Sequence, residues 1–314
     1  DYYTNQSNQS LSNWYYFDLY VCLSSLSRYA ELNDLTYKFL RKGKFSVHDG
    51  YFFNCVTETL LMKGYIETVK DLLNQTPFFK NVNPVIKKFI QARLFYPVYT
   101  SVQNIKDVRA EVENSLDELV HIDLDSESNI QDLMSMFTFN NISNFYLIYQ
   151  QFNEIDFNSK YSNLIKRFLQ EYLQSDLIDK LNQRKSISAD KKIKLGYFSY
   201  NFINLHSGTI WSLGWMQNHD REKFEIYCYS LNPSYDDTTE KFQRYSDYFK
   251  QIDTDWQGAI EAILADNLDI LIFTDIGMEF HSFLLCNLRL APIQCSAWGH
   301  PLTSGSSSVD YYLS

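Results

Sequence analysis

The chain has 314 residues, with 28 Lys+Arg against 38 Asp+Glu, a formal net charge of −10, and 45% hydrophobic and 21% charged residues. This is a globular composition with room for about two cores. The acidic balance argues against nucleic acid or an anionic membrane surface as partner, and 10 glycines with 6 prolines exclude collagen-like and low-complexity classes.

The glycines are skewed. Gly43, Gly50 and Gly64 are the only ones before residue 196, and the other seven follow. That predicts helices first and tight βα turns later. The chain opens on Asp1 and stops at Ser314 just after an apolar run, so a fragment open at both ends is expected.

Residues 1–12 are polar and expected to fray. From Trp14, apolar residues recur at helical spacing: Tyr16, Leu19, Tyr20, Leu23 and Leu26, then Leu32, Leu35, Phe39 and Leu40. Phe52, Phe53, Val56, Leu60 and Leu61 form the next stripe. Gly64-Tyr65 interrupts it, Ile66, Val69, Leu72 and Leu73 resume it, and Pro77 closes the unit. Helix, Gly-Tyr turn, helix and Pro have the shape of a degenerate tetratricopeptide-like repeat, and an ordinary helical hairpin explains them equally well. Helical spacing continues through 85–94, 108–120, 130–137 and 165–177. The polar stretch 182–192 is the best domain boundary. The expected organisation is a helical region at 1–90, a helical linker at 91–190 and an α/β region at 191–314.

Beyond the boundary the period changes. Apolar, β-branched and aromatic runs at 193–199, 224–231, 268–274 and 293–298 read as strands, and 209–216, 238–249 and 256–265 read as helices. Alternation of this kind predicts parallel βαβ units in a doubly wound sheet. Cys22, Cys55, Cys228, Cys286 and Cys295 are odd in number and lack CxxC spacing, which indicates neither a disulfide framework nor a zinc site. Cys228 and Cys295 read as buried small hydrophobes. No run reaches the ~18–20 apolar residues of a membrane span, and a reducing cytoplasm is the default setting.

Ligands of open α/β sheets bind outside the carboxyl ends of the strands. The first strand is followed by Tyr200-Asn201-Phe202-Ile203-Asn204-Leu205-His206-Ser207-Gly208, the third by Asp275-Ile276-Gly277, and the fourth by Gly299-His300-Pro301-Leu302-Thr303-Ser304-Gly305. His206 and His300 therefore reach one edge of one sheet, as site residues or as groups that satisfy loop backbone. His48, His121 and His281 fall in or at helices, and His219 reads as a solvated helix end. The Thr303-Ser304-Gly305 stretch reads as a backbone nest for an oxyanion or as a polar turn. Asp236-Asp237 reads as a solvated turn. There is no dinucleotide glycine fingerprint, no P-loop, no G-x-S-x-G elbow and no H-E-x-x-H.

Leu288-Arg289-Leu290-Ala291-Pro292-Ile293-Gln294-Cys295, then Trp298-Gly299-His300-Pro301, Thr303-Ser304-Gly305 and Asp310-Tyr311-Tyr312, resemble protein O-GlcNAc transferases of the SPINDLY type, glycosyltransferase family 41. So does Gly196-Tyr197-Phe198-Ser199 running to His206-Ser207. The segments 219–227 and 273–277 look like the bacterial branch, and Tyr96-Pro97-Val98-Tyr99 with 144–150 resembles the helical linker of that family. The resemblance covers about residues 90–314.

It implies helical repeats before a two-lobed GT-B catalytic region, of which this chain would hold the first Rossmann-like lobe. It implies inverting, metal-independent transfer of N-acetylglucosamine from UDP-GlcNAc to Ser or Thr hydroxyls of proteins bound by the helical region. No cofactor besides the nucleotide sugar is implied. His206 matches the family's proposed general base. Asn201, Ser207, Asp275, Gly277, His300, Pro301, Thr303, Ser304 and Gly305 would line the cleft. Two departures stand out: Asn201 replaces the family's usual Asp, and one extra residue precedes His206. The second lobe is absent, so these residues alone are expected to be inactive. A GDP-fucose donor and a non-catalytic protein-binding scaffold remain open as alternatives.

Overall fold

The computed structural model describes residues 13–42, 50–74, 83–124, 126–138, 144–182, 191–204, 206–252 and 256–314. The polar start, His48, Pro77, Leu205 and most of the expected boundary at 182–192 lie outside them. The chain divides into two compact units, residues 1–140 and 141–314.

The first unit is helical, as the spacing predicts. It contains α1 (Asn13–Ser25), α2 (Tyr29–Lys42), α3 (Gly50–Met62), α4 (Ile66–Asn74), α5 (Pro84–Gln91), α6 (Val102–Leu119) and α7 (Glu127–Thr138). Gly64, at φ +83°, ends α3: its N–H donates to the Leu61 carbonyl (3.0 Å) and the Tyr65 N–H to that of Leu60 (2.9 Å), the reversal a glycine makes cheaply. Val56, Leu60, Leu61, Val69, Leu72 and Leu73 bury the facing stripes of α3 and α4. The Tyr20 hydroxyl meets Thr59 Oγ1 at 2.7 Å, and Thr68 Oγ1 donates to Asn33 Oδ1 at 2.7 Å, joining this helix pair to α1 and α2. Ser101 caps α6 by accepting the Asn104 N–H at 3.0 Å, so that helix begins well before the expected 108.

The second unit starts with a 3-10 turn (Phe145–Gln150), α8 (Ile155–Tyr172) and α9 (Ser175–Asn182). Then come β1 (Ile193–Ser199), α10 (Ser207–Gln217), β2 (Phe224–Ser230), α11 (Asp237–Tyr245), β3 (Tyr248–Gln251), α12 (Trp256–Asp266), β4 (Ile270–Phe273), α13 (Phe280–Leu285), β5 (Ile293–Ala297) and β6 (Tyr311–Leu313). The six strands are parallel in the order β3-β2-β1-β4-β5-β6. This is a doubly wound sheet whose order reverses between β1 and β4. An all-helical region followed by an α/β region is the expected fold class.

Three details differ from expectation. The helix expected over 238–249 stops at Tyr245, and Tyr248–Gln251 forms edge strand β3; Phe242, Tyr245 and Phe249 keep helical spacing across the break, which hides it from periodicity. The three-residue β6 is too short to show a pattern. The division of the chain falls ahead of the 182–192 stretch because α8 packs with the sheet region: Tyr161 stacks on Phe283 at 5.7 Å, and Tyr172 lies 5.8 Å from Trp256.

Leu195, Tyr197, Ile226, Cys228, Ile272 and Cys295 present one face of the sheet to Phe202, Met216 and Phe242. His219, expected to be solvated, is half-buried at the edge of this core. Its Nε2 lies 2.6 Å from the hydroxyl of fully buried Tyr197, a partner that a buried phenol requires.

Candidate active site

The switch point between β1 and β4 gathers a polar cluster from two strand ends. Asp275, 1% exposed, follows β4. Its Oδ2 accepts from Ser199 Oγ at 2.6 Å and from Asn201 Nδ2 at 2.7 Å, both just beyond or at the end of β1. Its Oδ1 accepts from Ser282 Oγ on α13 at 2.7 Å. Burial, and then the nearby Glu279 charge, push the Asp275 carboxyl well above the usual range despite these three donors. The carboxylate stitches the two arms of the sheet together where they diverge.

The loop after β1 is held from several sides. Ser199 Oγ accepts the Asn201 N–H at 2.8 Å. The Thr209 hydroxyl lies 2.9 Å from the Asn201 carbonyl and 2.8 Å from that of Ile203. Phe202 is buried against Phe242, ring centroids 4.3 Å apart. Asp236 caps α11 and also accepts the Asn204 N–H at 2.7 Å, so this acidic residue serves as a capping group. His206 caps α10: its Nδ1 accepts the Gly208 N–H at 3.3 Å, and burial lowers its pKa. The neutral ring then carries its hydrogen on Nε2. The Ser207 side chain lies outside the described residues.

Beyond β5 the residues expected along the cleft separate. Trp298 is half exposed and sits 5.9 Å from Trp211; Pro301 and Thr303 are also exposed. His300 is 3% exposed. It packs 4.8 Å from the Phe145 ring and accepts the Leu302 N–H on Nδ1 at 3.3 Å. Burial drives its pKa down to about 4, so it stays neutral near pH 7. Gly277, at φ +94°, lies directly over it: a Cβ there would stand 2.9 Å from His300 Nδ1. His300 therefore fills the space beneath the 275–277 turn.

Thr303-Ser304-Gly305 clasps α8. Asn158 Nδ2 donates to the Thr303 carbonyl at 2.9 Å, and Ser162 Oγ to that of Ser304 at 2.7 Å. A Cβ on Gly305, at φ +67°, would come within 2.2 Å of the Asn158 backbone. The loop's own hydroxyls take up its N–H groups: Gly305 N–H donates to Thr303 Oγ1 at 3.3 Å, and Ser306 N–H to Ser304 Oγ at 3.2 Å. An oxyanion nest needs those donors free, so the polar-turn reading fits this geometry.

Sequence reasoning missed one constellation. Glu279 caps α13 by accepting the N–H groups of His281, at 2.6 Å, and Ser282. The same carboxylate faces His281 Nδ1 at 3.0 Å. Tyr200, directly after β1, lies parallel to the imidazole with an interplanar angle of 2° and centroids 5.5 Å apart. A capping carboxylate two residues before a histidine was the available signal.

Residues 174–314, which include the whole sheet, match glycosyl transferase family 41. The chain is similar to a UDP-N-acetylglucosamine--peptide N-acetylglucosaminyltransferase of Caenorhabditis elegans, 32% identical over 140 residues, covering 41% of this chain and 12% of that protein. It is also similar to the probable UDP-N-acetylglucosamine--peptide N-acetylglucosaminyltransferase SEC of Arabidopsis thaliana, 29% identical over 132 residues, covering 39% of this chain and 13% of that protein. The chain thus spans about an eighth of the curated relatives it matches. A solved Thermobaculum terrenum O-GlcNAc transferase mutant superposes with a TM-score of 0.39 at 15% identity, covering 86% of this chain and 54% of that one, a likeness too loose to carry a functional conclusion. The similarity to N-acetylglucosaminyltransferases thus falls on the sheet region.

Proposed function

We propose that the chain carries the first lobe of a two-lobed, GT-B-type protein O-glycosyltransferase. The reaction is transfer of N-acetylglucosamine from UDP-GlcNAc to Ser or Thr hydroxyls, with inversion and without a metal. The observation that supports this most is a coincidence of place. The family match spans the sheet whose switch point joins Asn201 to buried Asp275 and carries His206 on the following loop.

In such a reaction the acceptor oxygen attacks the anomeric carbon while the bond to the diphosphate breaks. The hydroxyl must lose its proton, and the leaving diphosphate needs donors aimed at its developing charge. A second lobe supplies those donors. His206, with its hydrogen on Nε2, donates to a substrate oxygen at the rim. Service as the base would require the other tautomer and the loss of its cap. The helical unit presents acceptor proteins, and the setting is the cytoplasm. Among the described residues no helix is long and apolar enough to cross a membrane.

The test is transfer by the complete protein to Ser/Thr peptides from UDP-GlcNAc, with GDP-fucose as the competing donor. N-acetylhexosamine addition is expected, with no transfer by residues 1–314 alone and a loss of ~10²–10³-fold in kcat for His206→Ala, the cost of removing one aimed donor. Fucose addition would replace the donor. Protein binding without transfer from any nucleotide sugar would leave a scaffold.

A further inference from the structure

The carboxyl edge of the sheet presents a second imidazole, His281, whose surroundings differ from those of the other two histidines there. Its Nδ1 lies 3.0 Å from Glu279 Oε2. A carboxylate only accepts, so Nδ1 carries the hydrogen and Nε2 presents its lone pair. Glu279 is itself fixed by the backbone N–H groups of His281 and Ser282, so its charge is held in place. The Tyr200 ring lies parallel to the imidazole, and Phe280 meets it edge-on at 5.0 Å. The ring is therefore oriented on one side by α13 and on the other by the residue that leaves β1. That is the crevice where doubly wound sheets bind their ligands.

His206 has the opposite arrangement: its Nδ1 accepts from Gly208, which places the hydrogen on Nε2. His300 is buried beneath Gly277. His281 keeps 15% of its side chain exposed, and among the described residues its Nε2 has no hydrogen-bond partner.

We propose that His281, oriented by Glu279, is the group that takes the proton from the acceptor hydroxyl, with Glu279 as its positioning residue. The proposal rests on the glycosyltransferase reading. As the Ser or Thr oxygen bonds to the anomeric carbon, its proton passes to His281 Nε2. The bond from that carbon to the diphosphate breaks, and the electron pair leaves on the diphosphate. The imidazolium so formed faces the Glu279 carboxylate, which stabilises it, and the proton then passes to water. The charged group against the ring is Glu279.

The experiment uses the complete protein, with wild-type transfer measured first. His281→Asn is expected to lower kcat by ~10²–10⁴-fold. Glu279→Gln keeps an oxygen to cap α13 and removes the charge. It is expected to lower kcat by roughly 10–100-fold with KM little changed. Nitrogen-15 NMR of the imidazoles gives an independent readout: Nδ1–H is expected for His281 and Nε2–H for His206. A wild type that transfers while His281→Asn retains its kcat overturns this proposal alone, as does Nε2–H on His281. A wild type that transfers nothing overturns the glycosyltransferase reading, and this proposal with it.

Discussion

The two ends of the sheet are built differently. At the amino end, ahead of β4 and β5, a cavity of about 670 Å3 opens between Leu177, Leu181, Leu264, Leu268, Leu290 and Pro292. The carboxyl end is distinguished by its polar groups. There a buried carboxylate takes three donors, one of them Ser282, whose neighbour His281 is the carboxylate-bound imidazole. A hole forms wherever helices pack imperfectly over strand starts. A site needs polar groups that converge and are held in fixed orientations, and that second property belongs to the carboxyl end.

The most recognisable residues of the chain, the 288–295 run, belong to the amino end, and they hold structure. The Gln294 side chain, fully buried, accepts the N–H groups of Leu290 (2.7 Å) and Ala291 (3.3 Å). It also donates to the carbonyls of Leu288 (2.9 Å) and Ser308 (2.8 Å). One amide thereby ties two loops to the start of β5. This run holds the architecture, while the converging polar groups lie at the other end of the strands.

This contrast can be broken in graded steps. Gln294→Leu should have the largest effect on stability. It strands four buried backbone groups, each worth ~1–3 kcal/mol, and about 3–5 kcal/mol of lost stability is expected in urea unfolding. A loss under about 1 kcal/mol would mean the loops are held by something else.

Asp275→Asn comes next, at about 1–3 kcal/mol near pH 7, and it sharpens the contrast through pH. Burial first, and then Glu279, raise the folded-state pKa of Asp275 above its ordinary value of 3.8, to about 6. The folded protein therefore holds this proton more tightly than the unfolded chain. Its contribution to stability is fully present below 3.8 and is lost as pH rises through about 6. The wild type should gain stability on acidification across that window relative to Asp275→Asn, and parallel unfolding curves would refute the assignment.

Arg289→Ala should matter least. The half-exposed pair with Asp310, at 2.5 Å, is worth ~0.2–1 kcal/mol, and Asp310 still accepts the Gln294 N–H at 2.8 Å.

The helices and the four inner strands were readable because their burial follows a period of 3.6 or 2. Edge strand β3 was not, since its aromatic residues continue the spacing of the helix before it. At the site, Asn201 and Asp275 followed from the rule that strand ends hold ligands, and the structure joins them. His281 looked like an ordinary helix start, because a ring turned back onto its own capping carboxylate leaves no periodic trace. His219 looked solvated because its partner, Tyr197, is 22 residues earlier on a buried strand. The Thr303–Gly305 turn could be read as a nest only while the partners of its N–H groups were unknown.

The clasp between α8 and that turn sets an order of events during synthesis. Asn158 and the carbonyl it holds are separated by 145 residues. At ~5–20 residues per second, Asn158 is added to the chain roughly 7–30 s before Thr303. Through that interval Asn158 can meet Asn144, made 14 residues earlier, but not the turn, so the helix is made early and locked late.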